Sequence, residues 1–127
     1  MTEKNEIYKC NICGNVVEVL TVGGGELVCC GKPMELMKEK AHEEGEEKHL
    51  PVVEKEGNKI TVKVGSVPHP MTEEHHIEWI EILGAGKVIA SARLSPGEKP
   101  EAEFYLSSLE RVTVRAYCNL HGLWESK

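Results

Sequence analysis

The chain has 127 residues, 40% of them hydrophobic and 28% charged, a balance that fits a globular protein and argues against a disordered, collagenous or membrane-embedded chain. This length holds one domain of about 100 residues with something smaller beside it, and excludes two full-sized domains. The formal net charge is −6, which argues against nucleic acid and acidic membranes as partners.

The opening run Met1 Thr2 Glu3 Lys4 Asn5 Glu6 is followed by no apolar stretch, so neither a signal peptide nor a membrane span is expected. A reducing, cytoplasmic compartment is the corresponding expectation. There, cysteines remain thiols that hold metals or perform redox chemistry. The five cysteines and six histidines therefore carry the chemical reading.

Residues 1–37 contain Cys10 x x Cys13 and, after fifteen intervening residues, the adjacent pair Cys29 Cys30, with Gly14, Gly23, Gly24, Gly25 and Gly31 around them. Four thiolates complete a tetrahedral site for zinc or iron, and spacing alone does not choose between the two. A segment this short lies below the roughly 40 residues at which an apolar core suffices, so the metal should supply much of its folding free energy. Adjacent cysteines cannot both reach an ion from the usual knuckle, so the site should be distorted. Two disulfides, or four unrelated thiols, are the competing readings, and a reducing compartment disfavours them.

Residues 38–46 are rich in charge, offer almost nothing apolar to bury and read as a solvated linker, with Gly45 interrupting any exposed helix. From residue 47 to 127 the pattern has a period of two. Ile60, Val62 and Val64 alternate with Thr61 and Lys63; Ala102, Phe104 and Leu106 with Glu103 and Tyr105; Val112, Val114 and Ala116 with Thr113, Arg115 and Tyr117. These are half-buried strands. Turn signals at Gly57 Asn58, Gly84 Ala85 Gly86 and Pro96 Gly97 make the second unit an antiparallel sandwich of short strands.

Histidines cluster in this second unit. His69 sits between Pro68 and Pro70; one proline fixes its own φ and the other pushes His69 into an extended conformation, a stiff mount suited to a ligand. Cys118 continues the inward face of Val112, Val114 and Ala116, and with His121 it can grip one ion from a single loop. An inert buried cysteine beside a surface histidine explains that pair equally well. His49, His69 and His75 shift the balance toward a site, whereas His42 and His76 are candidates for surface residues. Four imidazoles and one thiolate are too many for tetrahedral zinc and too rich in nitrogen for an iron–sulfur cluster. Five-coordinate iron with one open position fits them, and an open position implies chemistry.

Taken together, Cys10 x x Cys13 … Cys29 Cys30, Glu47 Lys48 His49 x Pro51, Ser66 Val67 Pro68 His69 Pro70 Met71 … His75 x Ile77 Glu78 Trp79 and Cys118 Asn119 x His121 Gly122 resemble desulfoferrodoxin, the two-iron superoxide reductase family. The resemblance covers essentially the whole chain. It implies an all-β protein, in which a small desulforedoxin-like, rubredoxin-like domain precedes an immunoglobulin-like antiparallel β-sandwich. Two irons per chain are implied, one held by Cys10, Cys13, Cys29 and Cys30. The second would take His49, His69, His75 and His121 as equatorial ligands and Cys118 as the axial one. His75 is chosen over its neighbour His76 by motif alignment, with strand alternation sending the two rings to opposite faces.

The implied activity is one-electron reduction of superoxide to hydrogen peroxide, with electrons from a rubredoxin-type donor and a homodimer as the assembly. Lys48 and Glu47 are the catalytic candidates: Lys48 as the cation that draws an anionic substrate to an acidic protein, Glu47 as a hard carboxylate ligand for the oxidised iron. Two other readings compete. A blue-copper-like electron-transfer protein lacks a methionine after Cys118 and leaves two histidines without a task. A zinc-stabilised structural or interaction protein would require the histidines to be metal-free.

Overall fold

The computed structural model describes residues 2–40, 46–107 and 111–126, with Glu46 and Glu47 described by their backbone alone. It divides into two compact units, Met1–Lys38 and Glu39–Lys127. In the first, β1 (Ile7–Lys9), β2 (Val16–Glu18) and β5 (Glu35–Met37) form an antiparallel sheet in the order β2-β1-β5, and β3 (Val28–Cys29) pairs with β4 (Lys32–Pro33). Strands of two or three residues bury little. Among the described hydrophobic residues of this unit, Ile7, Cys10 and Val19 are buried, too few to hold a fold without help.

The second unit opens with α1 (Glu46–His49), a single turn, and is otherwise made of strands: β6 (Pro51–Glu56), β7 (Lys59–Val64), β8 (Ile77–Gly84), β9 (Lys87–Arg93), β10 (Glu101–Tyr105), β11 (Val112–Cys118) and β12 (Gly122–Glu125). Two antiparallel sheets result, β10-β7-β6 and β12-β11-β8-β9. Their apolar faces meet in one core of Ile60, Val62, Val64, Ile77, Ile80, Ile82, Phe104, Val114, Ala116 and Cys118. The period-two reading of β7 and β10 holds, since their polar residues face solvent while Ile60, Val62 and Phe104 are buried. The protein is thus all-β, a small metal-site unit followed by a β-sandwich. Among the described residues no helix is long and apolar enough to cross a membrane.

Two expectations need correction. The outward face of β11 is not wet, because Arg115 and Tyr117 are both buried. Arg115 donates to Glu81 Oε1 from Nη2 at 2.6 Å and from Nε at 3.2 Å, and also pairs with Glu39. Tyr117 stacks on Trp79 at 5.5 Å between ring centroids. A paired guanidinium and stacked rings make this face tolerant of burial. The second correction concerns the charged segment 38–46, which is not free at its start. The Lys40 N–H donates to Leu123 O, and Lys40 O accepts from the Glu125 N–H, so Lys40 adds a short parallel bridge beside Trp124. Residues 41–45 of that segment, His42 among them, lie outside the described residues.

Candidate metal centres

The first site is assembled by two tight turns. In Cys10–Gly14 the Gly14 N–H donates to Cys10 O at 2.9 Å and the Cys13 N–H points at Cys10 Sγ at 3.5 Å. Opposite, Cys30 and Gly31 are the central residues of the β3–β4 hairpin, with φ of 53° and 76°, the left-handed pair that a type I′ turn requires. That turn lets adjacent cysteines face one point, which a knuckle would not. The four sulfurs lie within 4.8 Å of one another, with Cys13 and Cys29 3.5 Å apart.

Their protonation is mutually dependent. Backbone N–H groups of Cys13 and Ile12 bring the Cys10 thiol down to about 6, while hydrogen bonds with the Cys13 and Cys29 sulfurs push Cys30 up to about 12. Four thiolates cannot coexist this close without a cation to replace the protons.

In the second unit the histidines close a ring. Centroids of successive imidazoles are 4.7 Å apart for His49–His69, 4.6 Å for His69–His75, 4.9 Å for His75–His121 and 4.7 Å for His121–His49, each pair edge to face. His49 Nε2 and His121 Nδ1 are 3.1 Å apart, and buried Cys118 places its sulfur 3.7 Å from that Nδ1. Ligand atoms of His49, His75, Cys118 and His121 lie within 4.8 Å of one another. His69 falls outside that group but completes the ring. Its Nδ1–H donates to Pro70 O at 2.7 Å, which leaves Nε2 as a lone-pair donor.

Burial pushes His69 down to about 4 and His75 below its ordinary range, which favours the neutral form that a metal ligand requires. Among the described residues, His69 Nε2 and His75 Nε2 are buried with no hydrogen-bond partner. Such an orphan costs about 1–3 kcal/mol, and a metal ion satisfies both at once. Cys118 is raised by burial, the cost of keeping an ionisable thiol in the core. The donor set of four nitrogens and one sulfur suits iron, and the four thiolates of the first site suit iron or zinc.

Several residues that the sequence reading did not single out hold this ring together. Gly65 has φ +88°, and a Cβ there would meet Val67 O and, at 2.6 Å, Lys48 O; only glycine lets the His69 loop close on the His49 turn. Asn119 ties two ligand loops: its Oδ1 accepts from the His76 N–H at 2.9 Å and its Nδ2 donates to Glu74 O at 3.0 Å. A bulge skips Glu78, so Tyr117 pairs with Trp79 but Cys118 with Ile77. That shift keeps Ile77, rather than a carboxylate, on the core face beside Cys118. Trp124 stacks on His49 at 4.8 Å and 15°, and its indole N–H donates to His121 O. The available signal was the asparagine between Cys118 and His121.

His75 and His76 precede β8 rather than starting it, so a turn, not strand alternation, separates them. The Thr72 hydroxyl accepts from the His75 N–H, and the His76 Nδ1–H donates to Thr72 O at 3.0 Å, which directs that ring away from the site. Lys48 is exposed immediately before buried His49. The Glu47 side chain lies outside the described residues.

Both parts of the chain match known proteins. Residues 2–37 match the desulfoferrodoxin N-terminal domain and residues 41–127 match desulfoferrodoxin itself. A desulfoferrodoxin homolog of Archaeoglobus fulgidus is 58% identical over 99% of each chain, and a desulfoferrodoxin of Nitratidesulfovibrio vulgaris is 54% identical over 100% of this chain and 99% of that one. Among solved structures, the superoxide reductase of Treponema pallidum is similar with a TM-score of 0.77 at 29% identity, covering 100% of both chains. With both parts matched in chain order and each match containing one assembled set of donors, the chain belongs to the desulfoferrodoxin family.

Proposed function

We propose that this chain is a superoxide reductase with two irons, one at the four cysteines of residues 1–37 and a catalytic one within residues 47–127. The reaction joins superoxide, one electron and two protons to give hydrogen peroxide, with no dioxygen released. The observation that carries the reading is the closed ring of four imidazoles with a buried thiol beside it. His49, His69, His75, His121 and Cys118 would hold the iron, which would supply one-electron chemistry when bound.

The chain's own residues shape that chemistry. Cys118, fixed in the core, offers a soft electron-rich sulfur, the lever by which a thiolate tunes iron. Burial holds the protonation of His69 and His75 below the ordinary imidazole range, and the Pro70 carbonyl orients the His69 ring, so their Nε2 atoms are presented as lone-pair donors. Lys48 is the local cation that an acidic chain needs to attract an anionic substrate, and Glu47 is the carboxylate for the oxidised site. Electrons come from an external donor, of rubredoxin type. A homodimer and a cytoplasmic location complete the proposal. The blue-copper reading is not favoured, because four imidazoles exceed what copper of that type uses and no methionine follows Cys118. A metal-free sandwich is not favoured either, since two buried imidazole nitrogens would be left without partners.

Mixing anaerobically reduced protein with a known amount of superoxide tests the reaction. One peroxide per superoxide, with no oxygen evolved, is expected. Oxygen release with half that peroxide would mean dismutation and would contradict the proposal, as would superoxide left unconsumed.

A further inference from the structure

Lys40 lies between the two matched stretches, residues 2–37 and 41–127, and belongs to neither cluster of donors. Its backbone is fixed on both sides by Leu123 O and the Glu125 N–H, which orients the side chain back over β12. There Nζ donates to His121 O at 3.1 Å and stands 5.7 Å from the centroid of the Trp124 ring. The same carbonyl accepts the Trp124 indole N–H at 3.2 Å, while the face of that indole stacks on His49. One lysine and one tryptophan therefore converge on the two histidines whose ring nitrogens lie 3.1 Å apart.

We propose that Lys40 is a positioning and charge-setting residue of the second iron, holding His121 through its carbonyl and biasing the iron toward its ferrous state with a fixed positive charge. This rests on the iron site of the function proposed above. A cation beside the ligand shell opposes a further positive charge on the metal, so it disfavours oxidation. Trp124, itself buried, keeps the lysine from swinging away by offering its ring face.

Potentiometric titration of the two-iron protein, without superoxide, tests this. Lys40→Met and Lys40→Gln should each lower the potential of the second iron by about 59 mV, a tenfold change in the ratio of oxidised to reduced protein. The first iron should keep its potential in the same titration, and Lys40→Arg should restore that of the second. An unchanged second potential in both neutral variants would overturn the proposal. So would a fall in Lys40→Met that Lys40→Gln fully reverses, because a hydrogen bond rather than charge would then be responsible. If Lys40→Met loses the metal, Lys40→Gln still decides. Because the titration uses no substrate, absence of superoxide turnover in the wild type would refute the proposed function and leave this result standing.

Discussion

Replacing Gly65 by alanine should release the second iron while sparing the first. The backbone at Gly65 has φ +88°, where an L side chain costs about 1–2 kcal/mol. Strain is the smaller effect. The new Cβ would lie 2.6 Å from Lys48 O, and real Cβ contacts essentially never fall below 3.0 Å; the Lys48 carbonyl must therefore retreat by about 0.4 Å or more, near the roughly 0.5 Å tolerance of a preorganised site. That carbonyl is bonded to the backbone nitrogen of His49, and Val67 O, also in the way, leads into the His69 loop. Both ends of the clash thus push His49 and His69 apart from their 4.7 Å packing. A loss of about 10–100-fold in metal affinity is expected, the range seen when support around ligands is removed. The assay is iron release to a chelator, followed at the separate absorption bands of the two sites. Gly57→Ala is the control, because Gly57 has φ +61° with nothing within 4 Å of its Cβ position, so it introduces strain without displacing a ligand. Wild-type release from Gly65→Ala, or equal release from both variants, would refute the reasoning.

Asn119→Ala removes the bonds between the Cys118 loop and the His75 loop, and should speed iron loss from the second site with little change at the first; equal loss from both sites would contradict a local role. Lys48→Ile should slow the second-order reaction with superoxide and flatten its dependence on ionic strength, which stopped-flow measurements at several salt concentrations would reveal. A preserved salt dependence would remove Lys48 from substrate attraction. Metal-free protein should lose stability as pH falls through the window from about 6.5 to about 4. Unfolded imidazoles protonate near 6.5, whereas folded His69 resists until about 4, so the unfolded chain holds more protons throughout that window. Urea midpoints should fall across it, less so in His69→Leu; identical slopes in the two proteins would contradict the assignment. Glu47→Ala should alter the absorption of the oxidised second site, and an unchanged spectrum would show that Glu47 is not its ligand.

Much of this protein can be read in one dimension because its strands have one wet face. In β7 and β10 alternation reports burial directly. In β11 it misleads, since Arg115 is buried by pairing with Glu81 and Tyr117 by stacking on Trp79, partners set by sheet register that no local pattern encodes. The four-cysteine site was legible from spacing, but the way Cys29 and Cys30 share one point depends on a left-handed φ at a non-glycine residue. His69 announced itself through its flanking prolines. Gly65, Trp124 and Lys40 did not, because each acts through contacts across the fold: Gly65 against the Lys48 carbonyl, Trp124 against His49, Lys40 against the His121 carbonyl. Composition placed Lys40 in solvent, and two backbone hydrogen bonds place it in the sheet instead.

Element-resolved metal analysis of protein produced with both iron and zinc available tests the central claim most directly. Two irons per chain are predicted for the wild type, falling to one in Cys118→Ala with the first site's absorption intact. Zinc at the cysteines, and no metal whose loss follows Cys118, would contradict the account and return the sandwich to a structural role.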